Sequence, residues 1–252
     1  MRALSRAEAL LGERLESLYL LYGPETAHTD PILFPRRYAR GEDREVAGWI
    51  ASAFAYGQVR TIQDNVGRIL AVLGPHPAEA IDRIGDFRAF ARDELAGFRH
   101  RFHGAVDAAA LLYAIGRARA EAGSVRAFFE REGREEDRDV AGLLSRAVAR
   151  LIDLDYRPVL GTRRLAERSP VRFFFPDPSA GSACKRWNLY LRWMVRKDAL
   201  DFGLWPGIPT DRLVIPTDTH VHRIARRLGL TRRKTADWKA ARAITTSLAR
   251  FD

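Results

Sequence analysis

The chain has 252 residues, 46% of them hydrophobic, and a formal charge of +10, enough apolar material for a sizeable core and one or two modest domains. No apolar run reaches the roughly 18 uncharged residues of a membrane span. The opening M-R-A-L-S-R-A-E-A-L-L-G-E-R carries acidic residues at helical spacing, which excludes a signal peptide and leads to the expectation of a cytoplasmic protein with no membrane partner. Cys184, the single cysteine, excludes an internal disulfide framework, a four-cysteine zinc site and a four-cysteine iron–sulfur cluster.

In chain order, His28 to Arg44 is a Pro-rich irregular segment that precedes the first strong core helix. Val46, Trp49, Ile50, Ala53 and Phe54 recur at three and four, as do Ile62, Val66, Ile69, Leu70 and Leu73, until Gly74-Pro75-His76-Pro77 stops the second helix. Helical patterns follow over 105–119, 140–154, 185–195, 219–228 and 236–248. Glu130 to Asp139 is charged and reads as a solvated turn, while Phe173 to Ser182 and Asp201 to Leu213 are breaks rich in Pro and Gly. Strand candidates are confined to Val171–Phe175 and Leu213–Ile215. The expectation is an all-α, two-lobed helical protein, with residues 1–40 and 160–252 in one lobe, 41–159 in the other, and a site in the cleft between them.

Charge is concentrated at one end. From Lys185 onward 15 Lys/Arg stand against 6 Asp/Glu, a balance of +9, and the 184 residues before it balance at +1. A basic final quarter favours an anionic partner on one face, nucleic acid ahead of anionic membrane, with simple solubility as the plain alternative.

The run V-I-P-T-D-T-H-V-H-R-I-A-R-R-L-G-L, Val214 to Leu230, places one carboxylate, Asp218, ahead of a basic helical pattern. If residues 218–222 were extended, Asp218, His220 and His222 would share a face as a metal site. Against this, Val221, Ile224, Ala225 and Leu228 form a helical stripe, and Pro216 and Asp218 are helix-start signals. In a helix Asp218 is either a plain N-cap or a functional carboxylate with a partner. The candidate partner is Lys185, which opens K-R-W-N-L-Y-L-R-W-M-V-R; a helix N-terminus disfavours the ammonium and favours a free amine. The plain alternative is a phosphate-binding or solvent-facing lysine. Helical spacing puts Lys185, Asn188, Leu189, Arg192 and Arg196 near one face, with Trp187, Leu191 and Met194 on a core face. Trp193 and Trp205 are expected to pack.

G-S-A-C-K-R-W-N-L-Y-L-R-W-M-V-R-K-D, then D-F-G-L-W and I-P-T-D-T-H-V-H-R-I-A-R-R-L-G-L, resembles a bacterial family that looks like part of the helix-hairpin-helix DNA glycosylase superfamily; Ala51 to Val66 resembles that superfamily's helix near a pocket glutamine. The resemblance implies a DNA-glycosylase-like fold with a helix-hairpin-helix element, Lys185 as nucleophile, Asp218 as catalytic aspartate and Gln58 as the glutamine reaching the lesion-bearing strand. Gly181 and Ser182 would form the hairpin whose backbone N–H groups hold a phosphate. The sequence departs from the endonuclease III pattern in its G-S-A-C-K hairpin, in lacking a cysteine cluster after the aspartate, and in the 33 residues from Lys185 to Asp218, a spacing closer to the archaeal 8-oxoguanine glycosylases. The family continues past Arg250-Phe251-Asp252, so an incomplete last helix is expected.

The resulting expectation is a monomeric base-excision-repair enzyme, a DNA glycosylase with AP-lyase activity acting on double-stranded DNA that contains a damaged base, 8-oxoguanine first. Phosphates would meet Arg186, Arg192, Arg196, Arg223, Arg226, Arg227 and His220, and Gln58 or Asn188 would read the extruded base. Schiff-base chemistry requires no metal or redox cofactor. A nonenzymatic helix-hairpin-helix DNA-binding protein and a metal-dependent hydrolase using His220 and His222 are the alternatives.

Overall fold

The computed structural model describes residues 5–23, 25 and 27–251. Met1 to Leu4 of the assigned hairpin lobe, and the ending at Asp252, lie outside the described residues. Helices dominate: α1 (Arg6–Leu21), α2 (Gly41–Ala53), α3 (Val59–Leu73), α4 (Pro77–Asp82), α5 (Phe87–Asp93), α6 (Ala105–Ala122), α7 (Val125–Glu130), α8 (Ala141–Ile152), α9 (Arg157–Leu160), α10 (Lys185–Val195), α11 (Thr219–Arg227) and α12 (Trp238–Leu248). The protein is all-α in class. No helix among the described residues is long and apolar enough to cross a membrane.

Both strand candidates are corrected. Pro170–Phe174 is a 3-10 helix, and residues 213–215 run extended without a strand partner. Pro170 is set for a helical first turn, and of the aromatic residues after it Phe174 and Phe175 are both buried while Phe173 is exposed, which is not the alternation of a strand. The strands that form among the described residues, β1 (Arg99–His100) and β2 (His103–Gly104), pair antiparallel with His100 opposite His103. Two-residue strands carry no periodicity for a sequence to display.

One contiguous core of buried apolar residues runs from Ile32 to Ala241. Helix α2 is its axis: Val46, Ala47, Trp49, Ile50 and Ala51 have no exposed surface, and Gly48 lets α10 approach closely, since a Cβ there would stand 2.5 Å from Met194 Cε. Tyr190 Oη on α10 donates to the Glu45 carbonyl at 2.8 Å and ties the two helices. Trp193 and Trp205 are packed in the core, as expected, with Trp205 stacked on Phe129 at 5.4 Å.

The segment after α10 folds back over that helix's open end. Phe202 N–H donates to the Trp193 carbonyl at 2.8 Å, and Trp205 N–H to that of Met194 at 2.9 Å. These bonds satisfy carbonyls that a helix C-terminus leaves free. The chain then crosses the segment between α7 and α8, where Gly207 N–H donates to Glu130 Oε1 at 2.8 Å and Val140 N–H to the Arg212 carbonyl at 3.1 Å, and Ile215 N–H reaches Thr245 Oγ1 at 3.0 Å on α12. This path leaves α11 beginning beside the start of α10.

Candidate active site

Lys185 is the first residue of α10, and the turn before it is tightly determined. Asp177 caps Pro178–Ala180, Gly181 adopts a left-handed conformation (φ 83°), and Ser182 Oγ accepts from Cys184 N–H at 3.1 Å. Cys184 is also left-handed (φ 46°, ψ 38°), a state that costs a non-glycine residue about 1–2 kcal/mol. The turn is held from both sides: Asn188 Nδ2 donates to the Ala183 carbonyl at 3.1 Å, and Trp238 N–H at the head of α12 donates to that of Gly181 at 3.3 Å. Helix α10 therefore starts where Lys185 projects from its first turn.

Asp218 is the N-cap of α11. Its Oδ1 accepts from His220 and Val221 N–H, both at 2.9 Å, while Oδ2 lies 3.0 Å from Lys185 Nζ. The two side chains keep 38% and 31% exposure, so the pair is reachable from solvent. Burial is the largest single influence on the carboxyl and raises it, but the Val221 N–H, the Lys185 ammonium and the His220 N–H together outweigh burial and hold it below the usual aspartate range.

The pair opens into a cavity of about 860 Å³. Val59, Ile62 and Leu189 supply apolar wall, Tyr56 and Phe173 supply aromatic rings, and Arg186 and Asp30 stand among the charged groups. Cys184 also borders it, but burial pushes the thiol up to about 12 and Sγ donates to the Pro176 carbonyl at 3.5 Å, so a thiolate nucleophile is disfavoured there. The Lys185 amine, by contrast, has a carboxylate oxygen 3.0 Å away.

Several expected contacts fall elsewhere. Asn188 is 1% exposed and turned into the hairpin, where it braces the turn and does not line the cavity. Gly181 N–H donates to the Pro178 carbonyl at 2.9 Å and is not free for a phosphate; Ser182 does line the cavity. Gln58 is the N-cap residue of α3 and is exposed, and the cavity takes its neighbours Gly57 and Val59 in place of its side chain. Arg192 pairs with the fully buried Asp201 at 2.9 Å, and Arg196 with Asp198 at 2.8 Å, toward the far end of α10, about 10 and 16 Å along the axis from Lys185. Their charge is committed to holding the return segment. Arg186 borders the cavity, but its guanidinium donates to the carbonyls of Ala53, at 2.8 Å, and Phe173; burial brings it down to about 10.

His220, Arg223, Arg226 and Arg227 are exposed on α11, beside the pair, with Arg223 Nη2 3.2 Å from His220 Nδ1. Two further corrections concern this helix. Ile224 and Leu228, expected in an inward stripe, are 52% and 41% exposed, and the inward positions are His222 and Ala225. The extended metal arrangement of Asp218, His220 and His222 does not form: residues 219–227 are helical, His222 Nε2 lies 3.1 Å from the Arg233 carbonyl, and among the described residues no three His, Cys, Asp or Glu side chains are grouped to hold a metal. Tyr56, Phe173 and Asp30 were missed as cavity residues. A tyrosine in A-F-A-Y-G-Q and a phenylalanine in F-F-F carry no local mark that separates a cavity wall from core.

Fold and site together define a helical protein that presents an amine–carboxylate pair, built from two helix N-termini, to a cavity beside a basic helix. The chain belongs to the family described as "Protein of unknown function (DUF2400)", whose profile matches residues 30–252. No curated protein and no solved structure matches it.

Proposed function

We propose that this protein is a bifunctional DNA glycosylase/AP lyase with a helix-hairpin-helix-type site, excising a damaged base, with 8-oxoguanine the first substrate to test. The observation that carries the reading is the 3.0 Å contact between Lys185 Nζ and Asp218 Oδ2 at the edge of a cavity large enough for a nucleotide. Exposed Arg223, Arg226 and Arg227 on the same helix as the Asp218 cap support a duplex phosphate track.

An extruded nucleotide would place its C1′ against the pair. Lys185 first gives up its ammonium proton to solvent; the free amine attacks C1′, the Nζ–C1′ bond forms, and the glycosidic bond breaks with its electron pair leaving on the base, which takes up a proton from solvent. Ionised Asp218 stabilises the oxocarbenium-like charge and accepts the proton that the new C–N bond acidifies. Ring opening yields a Schiff base. Loss of a C2′ proton then expels the 3′ phosphate and nicks the strand.

Asp218 suits this role because its Oδ1 is anchored by two backbone donors while Oδ2 is left to address the amine. The test is borohydride trapping with duplexes carrying oxidised, deaminated and alkylated bases and an abasic site. The expected result is a covalent adduct that disappears in Lys185→Gln. A nonenzymatic DNA-binding protein would retain duplex affinity and give no adduct with any of them.

A further inference from the structure

Tyr56 and Phe173 meet edge to face at 4.9 Å between ring centroids, their planes inclined at 68°, and both line the cavity. Phe173 is 40% exposed, unlike the buried Phe174 and Phe175 that follow it. Tyr56, by contrast, is fixed at each end. Its hydroxyl donates to His103 Nδ1, and its carbonyl accepts from His100 Nε2 at 2.9 Å.

The hydrogen bonds define both tautomers. Burial lowers the His103 imidazole below the ordinary histidine range and keeps it neutral. Its Nε2 lies 2.9 Å from the Pro170 carbonyl, which only accepts, so Nε2 carries the proton and Nδ1 accepts from the Tyr56 hydroxyl, which also lies 3.4 Å from the His100 carbonyl. His100 Nε2 must likewise donate to Tyr56, leaving Nδ1 to accept from Asn65 Nδ2 at 3.1 Å. Both imidazoles have no exposed surface. The β1–β2 hairpin thus sets two neutral histidines beneath one tyrosine whose ring faces an open cavity. For an ordinary core tyrosine such bracing of a cavity wall would be idle.

We propose that Tyr56 and Phe173 form the stacking wall for the extruded base, and that His103 is the positioning residue that holds the wall in place. This rests on the glycosylase reading and adds its ring-binding face. The wall takes a neutral planar heterocycle. The Arg186 guanidinium lies 4.1 Å from the Phe173 centroid and 5.4 Å from that of Tyr56, and its hydrogen-bond partners are backbone carbonyls, so a cationic N-alkylated base stacked here would face a positive charge with no carboxylate bonded to it.

The experiment compares single-turnover borohydride trapping on two duplexes, one carrying 8-oxoguanine and one an abasic site, which has no base to stack. Loss of aromatic–base stacking is worth about 1–3 kcal/mol, or roughly 5–150-fold. Phe173→Ala and Tyr56→Ala should lower the 8-oxoguanine-to-abasic ratio by about that factor. His103→Phe, which removes the acceptor, should lower it similarly, and His103→Gln, which retains an acceptor and a donor, should restore most of it. A duplex carrying cationic 7-methylguanine should bind more weakly than one carrying 8-oxoguanine, and equal or tighter binding overturns the preference for a neutral ring. An unchanged ratio in Phe173→Ala and Tyr56→Ala overturns the wall while leaving the amine–carboxylate reading intact. Equal loss in His103→Phe and His103→Gln overturns the positioning role. Absence of any adduct between wild-type protein and the abasic duplex overturns the glycosylase reading and this inference together.

Discussion

Lys185 Nζ and Asp218 Oδ2 stand 3.0 Å apart although they are 33 positions apart in the chain. The intervening chain descends α10, caps that helix's C-terminus through Phe202 and Trp205, and returns to begin α11 at the starting level. Each partner opens a helix, so backbone N–H groups set the local field on both. Such an arrangement separates the chemical role of the carboxylate from its structural one.

Asp218→Asn should make that separation measurable. Asparagine caps helices as well as aspartate does, and the lost ion pair is partly exposed, so stability should fall by less than about 1 kcal/mol. Turnover should fall by about 10²–10³-fold, the scale of losing one electrostatic stabiliser. Thermal melts and single-turnover trapping on the same preparation check both; equal small losses in turnover and affinity would leave Asp218 as a cap alone.

The same carboxyl predicts a pH signature. Because its folded value is depressed, Asp218 contributes stability that is present above the unfolded value and is lost as pH falls through the lower folded one. The melting-temperature gap between wild type and Asp218→Asn should be at most about 3 °C at neutral pH, from roughly 1 kcal/mol in a chain of this size. It should close only below the ordinary aspartate range. Calorimetric scans down the acid limb test this, and a gap that closes near neutrality would contradict it.

Arginines divide into two groups with opposite outcomes. Arg223→Ala, Arg226→Ala and Arg227→Ala should each reduce the slope of log affinity against log salt by about 0.9 where the side chain meets a phosphate, with little change in stability. Arg192→Ala should leave the slope unchanged and cost about 3 kcal/mol of stability, because it strips the nearest cation from the buried Asp201 carboxylate. Duplex binding across a salt series and urea unfolding distinguish the two groups.

Gly48→Ala probes the helix contact behind the site. The new methyl gains helix propensity of about 1 kcal/mol but meets Met194 Cε and, at 3.1 Å, the Tyr190 ring, which its hydroxyl bond to Glu45 prevents from swinging away. A net loss of about 1–2 kcal/mol is expected from overpacking. Denaturant melts check the sign.

Cys184 should resist alkylation in the folded protein at pH 8, since burial pushes its thiol up to about 12. Iodoacetamide labelling should become quantitative only in denaturant, and rapid labelling of native protein would refute the buried assignment.

The long helices, and Lys185 and Asp218 as helix starts, were legible in residue order because local rules govern them: apolar spacing at three and four, a carboxylate before a helical run, Gly and Pro at the breaks. The histidine-bearing hairpin was not legible, since two residues per strand leave no period to detect. Nor was the assignment of arginines: one side chain type serves Asp201 in the interior at position 192 and solvent at position 223, and only the returning chain separates them.

By itself, then, the sequence determined a helical protein with a basic final quarter and a lysine and an aspartate each at the head of a helix. Tertiary structure alone decided that these two meet, that Asn188 and Gly181 are consumed by the turn, and that Tyr56 and Phe173 face a cavity. The physical reason is range: capping and periodicity act within a few residues, whereas the approach of α11 to α10 depends on core packing and on carbonyls satisfied by residues far along the chain.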